Sequence, residues 1–153
     1  MRKGELYYGG WMLLGFITYF ISMKMLGYYH ILDLRIFNVI FHCSLTYLSM
    51  RHDRIVSEKE FGYADSFFVG MRTSMLPVFM FSAFMLCYLK FLDYGFMQYI
   101  KENALLGDYL TPLSVFVALF AEGLAASFVV SFVGIRVLKL EEDRHWIKHV
   151  HQF

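Results

Sequence analysis

The sequence predicts an all-α, polytopic membrane protein: four transmembrane helices in one bundle, both termini cytoplasmic, and a C-terminal amphipathic helix. Three observations carry this. Of the 153 residues, 58% are hydrophobic and 20% aromatic, with a mean hydropathy of +0.49. That is more apolar surface than a soluble domain of this length hides in one core. Four stretches of roughly 17 to 25 residues are essentially free of charge, long enough at about 1.5 Å per residue to cross a hydrocarbon core of about 30 Å. The basic residues, finally, fall unevenly on the segments between them.

The first stretch is Leu6 to Met23, between Glu5 and Lys24. Arg2 and Lys3 before it also suit a signal peptide. However, Gly15, Ser22 and Gly27 form no small-x-small cleavage site, and three more apolar runs follow, so an uncleaved first helix is expected. The second run, about Leu34 to Met50, is entered past Asp33 and Arg35 and closed by Arg51. The third is Thr73 to Leu89, between Arg72 and Lys90, with helix expected back to about Tyr63. The fourth opens at Thr111-Pro112, an N-cap followed by proline at the first helical position, and continues to Ile135. Helices are required because lipid offers no partner to backbone N–H and C=O groups, and strands would need an alternation these runs lack.

Orientation follows from Lys and Arg. Ten (Arg2, Lys3, Arg51, Arg54, Lys59, Arg72, Arg136, Lys139, Arg144, Lys148) lie at the N-terminus, the 51–72 loop and the tail, against four (Lys24, Arg35, Lys90, Lys101) on the other side. The larger group belongs inside. The chain reads as one domain, 1–153, with a cytoplasmic tail from 136. The outer segment Asp93 to Asp108 is expected to hold a short amphipathic helix (Phe96, Tyr99, Ile100, Ala104) at the membrane interface, where aromatics are favoured. Trp146, Val150 and Phe153 give the tail helical spacing, for the inner membrane surface or a partner.

Glu122 stands near the middle of the fourth span, with no other charge from Tyr109 to Ile135. A central charge costs about 2.5–3.5 kcal/mol on insertion scales, so it needs protein or water around it. Counting depth from the inner boundary puts Asn38 at its level, with His42 one turn further in on the same face. Thr18 and Ser82 fall near the same height. The expectation is a polar layer of Thr18, Asn38, His42, Ser82 and Glu122 inside the bundle. It would fix packing through interhelical hydrogen bonds, contact a partner subunit, or relay protons or bind substrate. Gly123, Ser127 and Ser131, with Gly134 nearby, form a small-residue face on the fourth helix, expected to pack within the chain. Pro77 should bend the third helix or loosen a hydrogen bond.

Glu141, His145 and His149 are four apart, a spacing that can hold a metal, but a solvated helix face explains them more simply. No metal or cofactor is assigned. Cys43 and Cys87 lie in apolar runs and read as small core residues. A net charge of +1 gives no reason to expect a nucleic-acid partner. There is no glycine-rich phosphate loop, G-x-S-x-G or H-E-x-x-H.

The order of elements carries a resemblance. The second helix ends in Met50-Arg51-His52-Asp53-Arg54, and Gly62-Tyr63-Ala64-Asp65-Ser66-Phe67-Phe68-Val69-Gly70-Met71-Arg72-Thr73-Ser74 follows. An aromatic third helix and a tyrosine-rich outer segment come next. This resembles a family of small four-helix membrane proteins from Bacteroidota, catalogued as domain of unknown function 4199. The chain departs from it in lacking a proline just after the third helix. The resemblance implies a bacterial inner-membrane protein without established activity, and suggests a neighbouring polyprenyl-phosphate sugar enzyme. It assigns no catalytic residues.

The expected function is a non-catalytic anchor, accessory or regulatory subunit, working with the bilayer and with another membrane protein or copies of itself. Its contact would be the fourth helix, the 51–72 loop or the tail. The alternative is a small transporter or lipid-linked-sugar flippase using Glu122. A third possibility is a lipid-acting enzyme at the membrane surface.

Overall fold

The computed structural model of the chain describes residues 3–28, 36–57, 62–104 and 107–150, with the side chains of 36, 57 and 141–150 outside that description. It is all-helical over those residues: α1 (Lys3–Met25), α2 (Ile36–Ser57), α3 (Tyr63–Cys87) running on into a π-helical turn (Tyr88–Leu92), α4 (Tyr94–Asn103), a 3₁₀ turn (Gly107–Tyr109) and α5 (Pro112–Val150). Three of these are long and apolar enough to cross a membrane: Lys3–Met25, Tyr63–Leu92 and Pro112–Leu140. α2 is less apolar because Asn38, His42, Thr46 and Ser49 run along it and Arg51, Asp53 and Arg54 close it.

Local chemistry sets the ends. α1 stops at Gly27, whose φ of 75° suits glycine. The Tyr28 and Gly27 amides donate to the Met23 and Lys24 carbonyls at 2.9 and 3.1 Å, closing the helix in a Schellman pattern. At α5 the Ser114 amide donates to Thr111 Oγ1 at 3.2 Å and the Thr111 amide to Ser114 Oγ at 2.8 Å. Two otherwise orphaned donors are thereby satisfied, with Pro112 in the first helical position. Asp93 caps α4, accepting from the Phe96 amide at 2.8 Å.

Contacts fix the directions. α1 and α3 run side by side the same way, joined by Glu5–Arg72 at 3.0 Å near one end, Phe16–Phe81 in the middle, and Lys24–Asp93 at the other end. α2 runs against α1, through the ring pairs Tyr8–His52, Phe16–His42 and Tyr19–Phe37. α5 runs against α3 (Phe67–Phe128, Phe79–Phe116) and parallel to α2, where Arg54 donates to the Leu138 carbonyl at 2.9 Å. Small apolar clusters stack along the bundle. Met50, Val69, Ile135 and Leu138 lie at the Arg54 end, Met12, Phe16 and Val78 in the middle, and Met85, Leu89 and Met97 under α4.

Several expectations change. One side of α4 packs inward: Met97 is buried, and Phe96 and Ile100 pack with Met85 and Leu89, while Tyr94 stays exposed. The tail forms no separate helix. α5 continues unbroken over 39 residues, about 58 Å at the α-helical rise and so longer than a bilayer core. Cys87 is exposed and Cys43 half-buried, so neither is a fully buried core residue. Pro77 is buried in α3 and, having no N–H, cannot supply the usual donor to the Thr73 carbonyl one turn back. Gly9 of α1 fits against that carbonyl: a methyl group there would come within 3.0 Å of the oxygen.

Candidate functional site

The bundle forms a partly open cavity of about 380 Å³ in its α4 half. α1 contributes Phe16, Tyr19, Phe20 and Met23, an i, i+3, i+4, i+7 stripe that places all four on one face. α2 adds Asn38, Val39 and His42, α3 adds Val78, Phe81, Ser82 and Met85, and α5 adds Val115, Leu119, Glu122, Gly123 and Ala126. α4 closes the end with Phe96, Tyr99, Ile100 and Asn103.

α4 is held there by a clamp. Lys24 binds both Asp93 and the Tyr88 hydroxyl, and its ammonium also lies 4.6 Å from the centre of the Tyr88 ring. Asp93 therefore caps α4 with one carboxylate oxygen and meets Lys24 with the other. The π turn brings Tyr88 into this group, its hydroxyl donating to Asp93 at 3.2 Å. Wide turns of this kind recur at functional sites.

Four of the five expected layer residues, Asn38, His42, Ser82 and Glu122, line this cavity. Thr18 does not. It is exposed on α1, about 160° round the helix from the nearest lining residue on its N-terminal side, Phe16. Depth counting gave its height and not its direction. Ser82 Oγ donates to the Val78 carbonyl of its own helix at 2.8 Å and makes no bond to another helix among the described residues. His42 is buried, with Nε2 3.2 Å from Ser127 Oγ on α5. Asn38 Oδ1 is buried and has no hydrogen-bond partner among the described residues. Glu122 is exposed, at the open rim of the cavity.

The small-residue face of α5 is used inside the chain. Gly123 backs onto Val78, and Ser131 and Gly134 meet Gly70 and Met50, while Ser127 reaches His42. Ser127, Ser131 and Gly134 are buried. Side chains of the expected metal group, Glu141, His145 and His149, lie outside the described residues. Among the described residues no group of three or more His, Cys, Asp or Glu could hold a metal.

Two constellations went unread in the sequence. Toward the Arg54 end, Thr46 Oγ1 meets Ser74 Oγ at 2.8 Å and Ser49 Oγ meets Thr73 Oγ1 at 2.8 Å, all four buried. The spacing Asn38, His42, Thr46, Ser49 already marks one face of α2, so this seam had a signal. The other is the pair Glu5–Arg72, whose carboxylate is 1% exposed although both residues look like span boundaries.

These features define an all-helical protein, three of its helices long and apolar enough to cross a membrane, with a partly open, aromatic-lined cavity between them. Comparison with protein-family models, curated proteins and solved structures finds no match.

Proposed function

We propose that the chain is a four-span protein of a bacterial inner membrane, both termini cytoplasmic, that holds a small amphipathic molecule between its helices as a carrier. The observation that carries this is the cavity. Its volume lies in the range of small-molecule sites, and its wall is mostly apolar with a few convergent polar groups, Asn38, His42 and Glu122.

The alternating directions of α1, α2, α3 and α5 support four crossings, and the burial of His42, Thr46 and Ser49 against neighbours explains how α2 tolerates its polar residues. The basic residues Arg54 and Arg72 fall at one end and α4 at the other, consistent with cytoplasmic termini. The bacterial assignment rests on the family resemblance. In the accessory-subunit reading the small-residue face of α5 is taken by α2 and α3, and the exposed face with Phe128, Val129, Phe132 and Val133 is the one left to a partner. No catalytic step is assigned.

The test is native mass spectrometry of protein purified in mild detergent, beside an Ala126→Phe variant that fills the cavity. A small molecule should accompany the parent and leave the variant, with both eluting at the same volume. A stoichiometric protein partner with no small molecule would return the chain to the subunit class.

A further inference from the structure

We infer that the occupant comes from the bilayer: the cavity opens sideways, through a gap between α2 and α5, to a lipid-soluble molecule. This rests on the cavity being a ligand site in a membrane-spanning bundle, and deepens that reading by naming the phase that supplies the ligand. Around the cavity the helices follow one another as α1, α2, α5 and α3, and three of the four seams are closed at its level. Phe16 pairs with His42 across α1 and α2 and with Phe81 across α1 and α3, the ring centres 6.1 and 5.5 Å apart. Between α3 and α5, Phe79 pairs with Phe120 at 5.7 Å, and Gly123 lets Val78 lie directly on the α5 backbone. At the end of the bundle α4 forms a cover, with Phe96 and Ile100 packed down and Asp93 held by Lys24.

The fourth seam is different. α2 and α5 run parallel at a steady offset: Ser127 meets His42, 85 residues earlier, and Leu138 meets Arg54, 84 residues earlier. Those contacts, and that of Met50 with Gly134, start at His42 and run toward the Arg54 end. The same offset sets Val39 level with Gly123 and Leu124, beside Glu122. Val39 and Glu122 both belong to the cavity wall, and both are exposed. Wall residues that face outward from opposite sides of one seam mark an opening. Its depth decides what lies outside. Glu122 stands ten residues past Pro112, about 15 Å along α5 and so near the middle of a hydrocarbon core of about 30 Å. One and two turns from it on the same face of α5 are Ala118, Ala125 and Val129, and next to Val39 on α2 is Ile40, all exposed and apolar. Such a surround is solvated by lipid tails, which are as apolar as the side chains they meet. A water-borne molecule has α4 in its way, and a bilayer-dissolved one does not.

The probe is a phosphatidylcholine with a photoreactive diazirine halfway along one acyl chain, in nanodiscs that hold the protein. Its head stays at the membrane surface, so the diazirine reaches the cavity wall only from the hydrocarbon side. After illumination, mass spectrometry maps the cross-links. They should fall on Phe16 and Met85, which are buried and line the cavity, as well as on the exposed Phe128 and Phe132. Val39→Trp, which fills the gap, should lose the cross-links to Phe16 and Met85 and keep the other two. Val133→Trp, on the exposed side of α5, should keep all four, with every form eluting like the parent. Cross-links confined to Phe128 and Phe132 in the parent, or Phe16 and Met85 labelled as strongly in Val39→Trp, overturn the sideways route. If the purified protein then still carries a small molecule that Ala126→Phe expels, the cavity reading stands without it. If it carries none, the cavity reading fails and the inference goes with it.

Discussion

The two halves of the bundle use similar polar residues to opposite ends. Toward the Arg54 end, hydroxyls face hydroxyls: Thr46 meets Ser74, Ser49 meets Thr73, and Gly70 lets Ser131 and Met50 approach α3. Polar groups there mostly satisfy one another, and the helices close. Toward α4, larger aromatic side chains hold the helices apart, and Asn38 and Glu122 face the space between them. A polar atom in a membrane bundle fixes packing when its partner is another helix. It becomes available for recognition when the packing leaves room in front of it.

The largest test of that contrast is steric. A methyl group on Gly70 would lie 2.5 Å from Ser131 Oγ and 3.0 Å from Met50 Sδ. Gly70→Val should therefore destabilise by about 3 kcal/mol, the upper range for overpacking, in mixed-micelle denaturation. Ala126→Phe, at the cavity, should cost under about 1 kcal/mol because space is already there. Equal losses would erase the distinction between a closed half and an open one.

Arg72→Gln comes next. It removes the guanidinium beside the buried Glu5 carboxylate while most of the α1–α3 packing stays. Arg72 is itself about half exposed, so the expected loss is about 2 kcal/mol, below the range for a fully buried pair. Glu5→Gln with Arg72→Gln should recover part of it. Failure to recover would mean that Glu5 is held mainly by other groups.

At the opposite end, Lys24→Met releases Asp93 and Tyr88 from the clamp. Both clamp partners are partly exposed, and the expected change is about 1 kcal/mol. Its location is more telling than its size. Hydrogen exchange should rise over α4, residues 94–103, and not over the Thr46–Ser74 region. A uniform rise would show that α4 is part of the bundle's cooperative core instead of a separately docked lid.

The sequence exposes these halves unequally. Helix positions, the Thr111-Pro112 start of α5 and the α3 start at Tyr63 were legible because capping and charge boundaries are local. The height of Asn38, His42, Ser82 and Glu122 was legible too, since depth counts residues from a boundary. Direction around the helix was not, which is how Thr18 came to be grouped with residues it turns away from. The cavity itself was hidden. It depends on α4 folding back over the bundle, through a Lys24–Asp93 contact spanning 69 residues of chain. The Glu5–Arg72 pair was missed because it joins two helices that are not consecutive in the chain, and nothing local to either residue says which neighbour it faces.

The smallest predicted effects are the sharpest. Ser131 Oγ and Asn38 Oδ1 are both buried, and neither has a hydrogen-bond partner among the described residues. Removing such an atom relieves a desolvation cost, so Ser131→Ala and Asn38→Leu should each be neutral or stabilising by about 0.5 kcal/mol. Stability alone cannot tell them apart. Ser131 sits in the closed half, against Gly70, where no ligand can reach it. Asn38 lines the cavity. Ser131→Ala should leave the small molecule that accompanies the purified protein in place, whereas Asn38→Leu should weaken its retention about threefold, the order of one neutral hydrogen bond. If both variants bind alike, Asn38 is only another element of packing, and recognition rests on Glu122 and the aromatic wall.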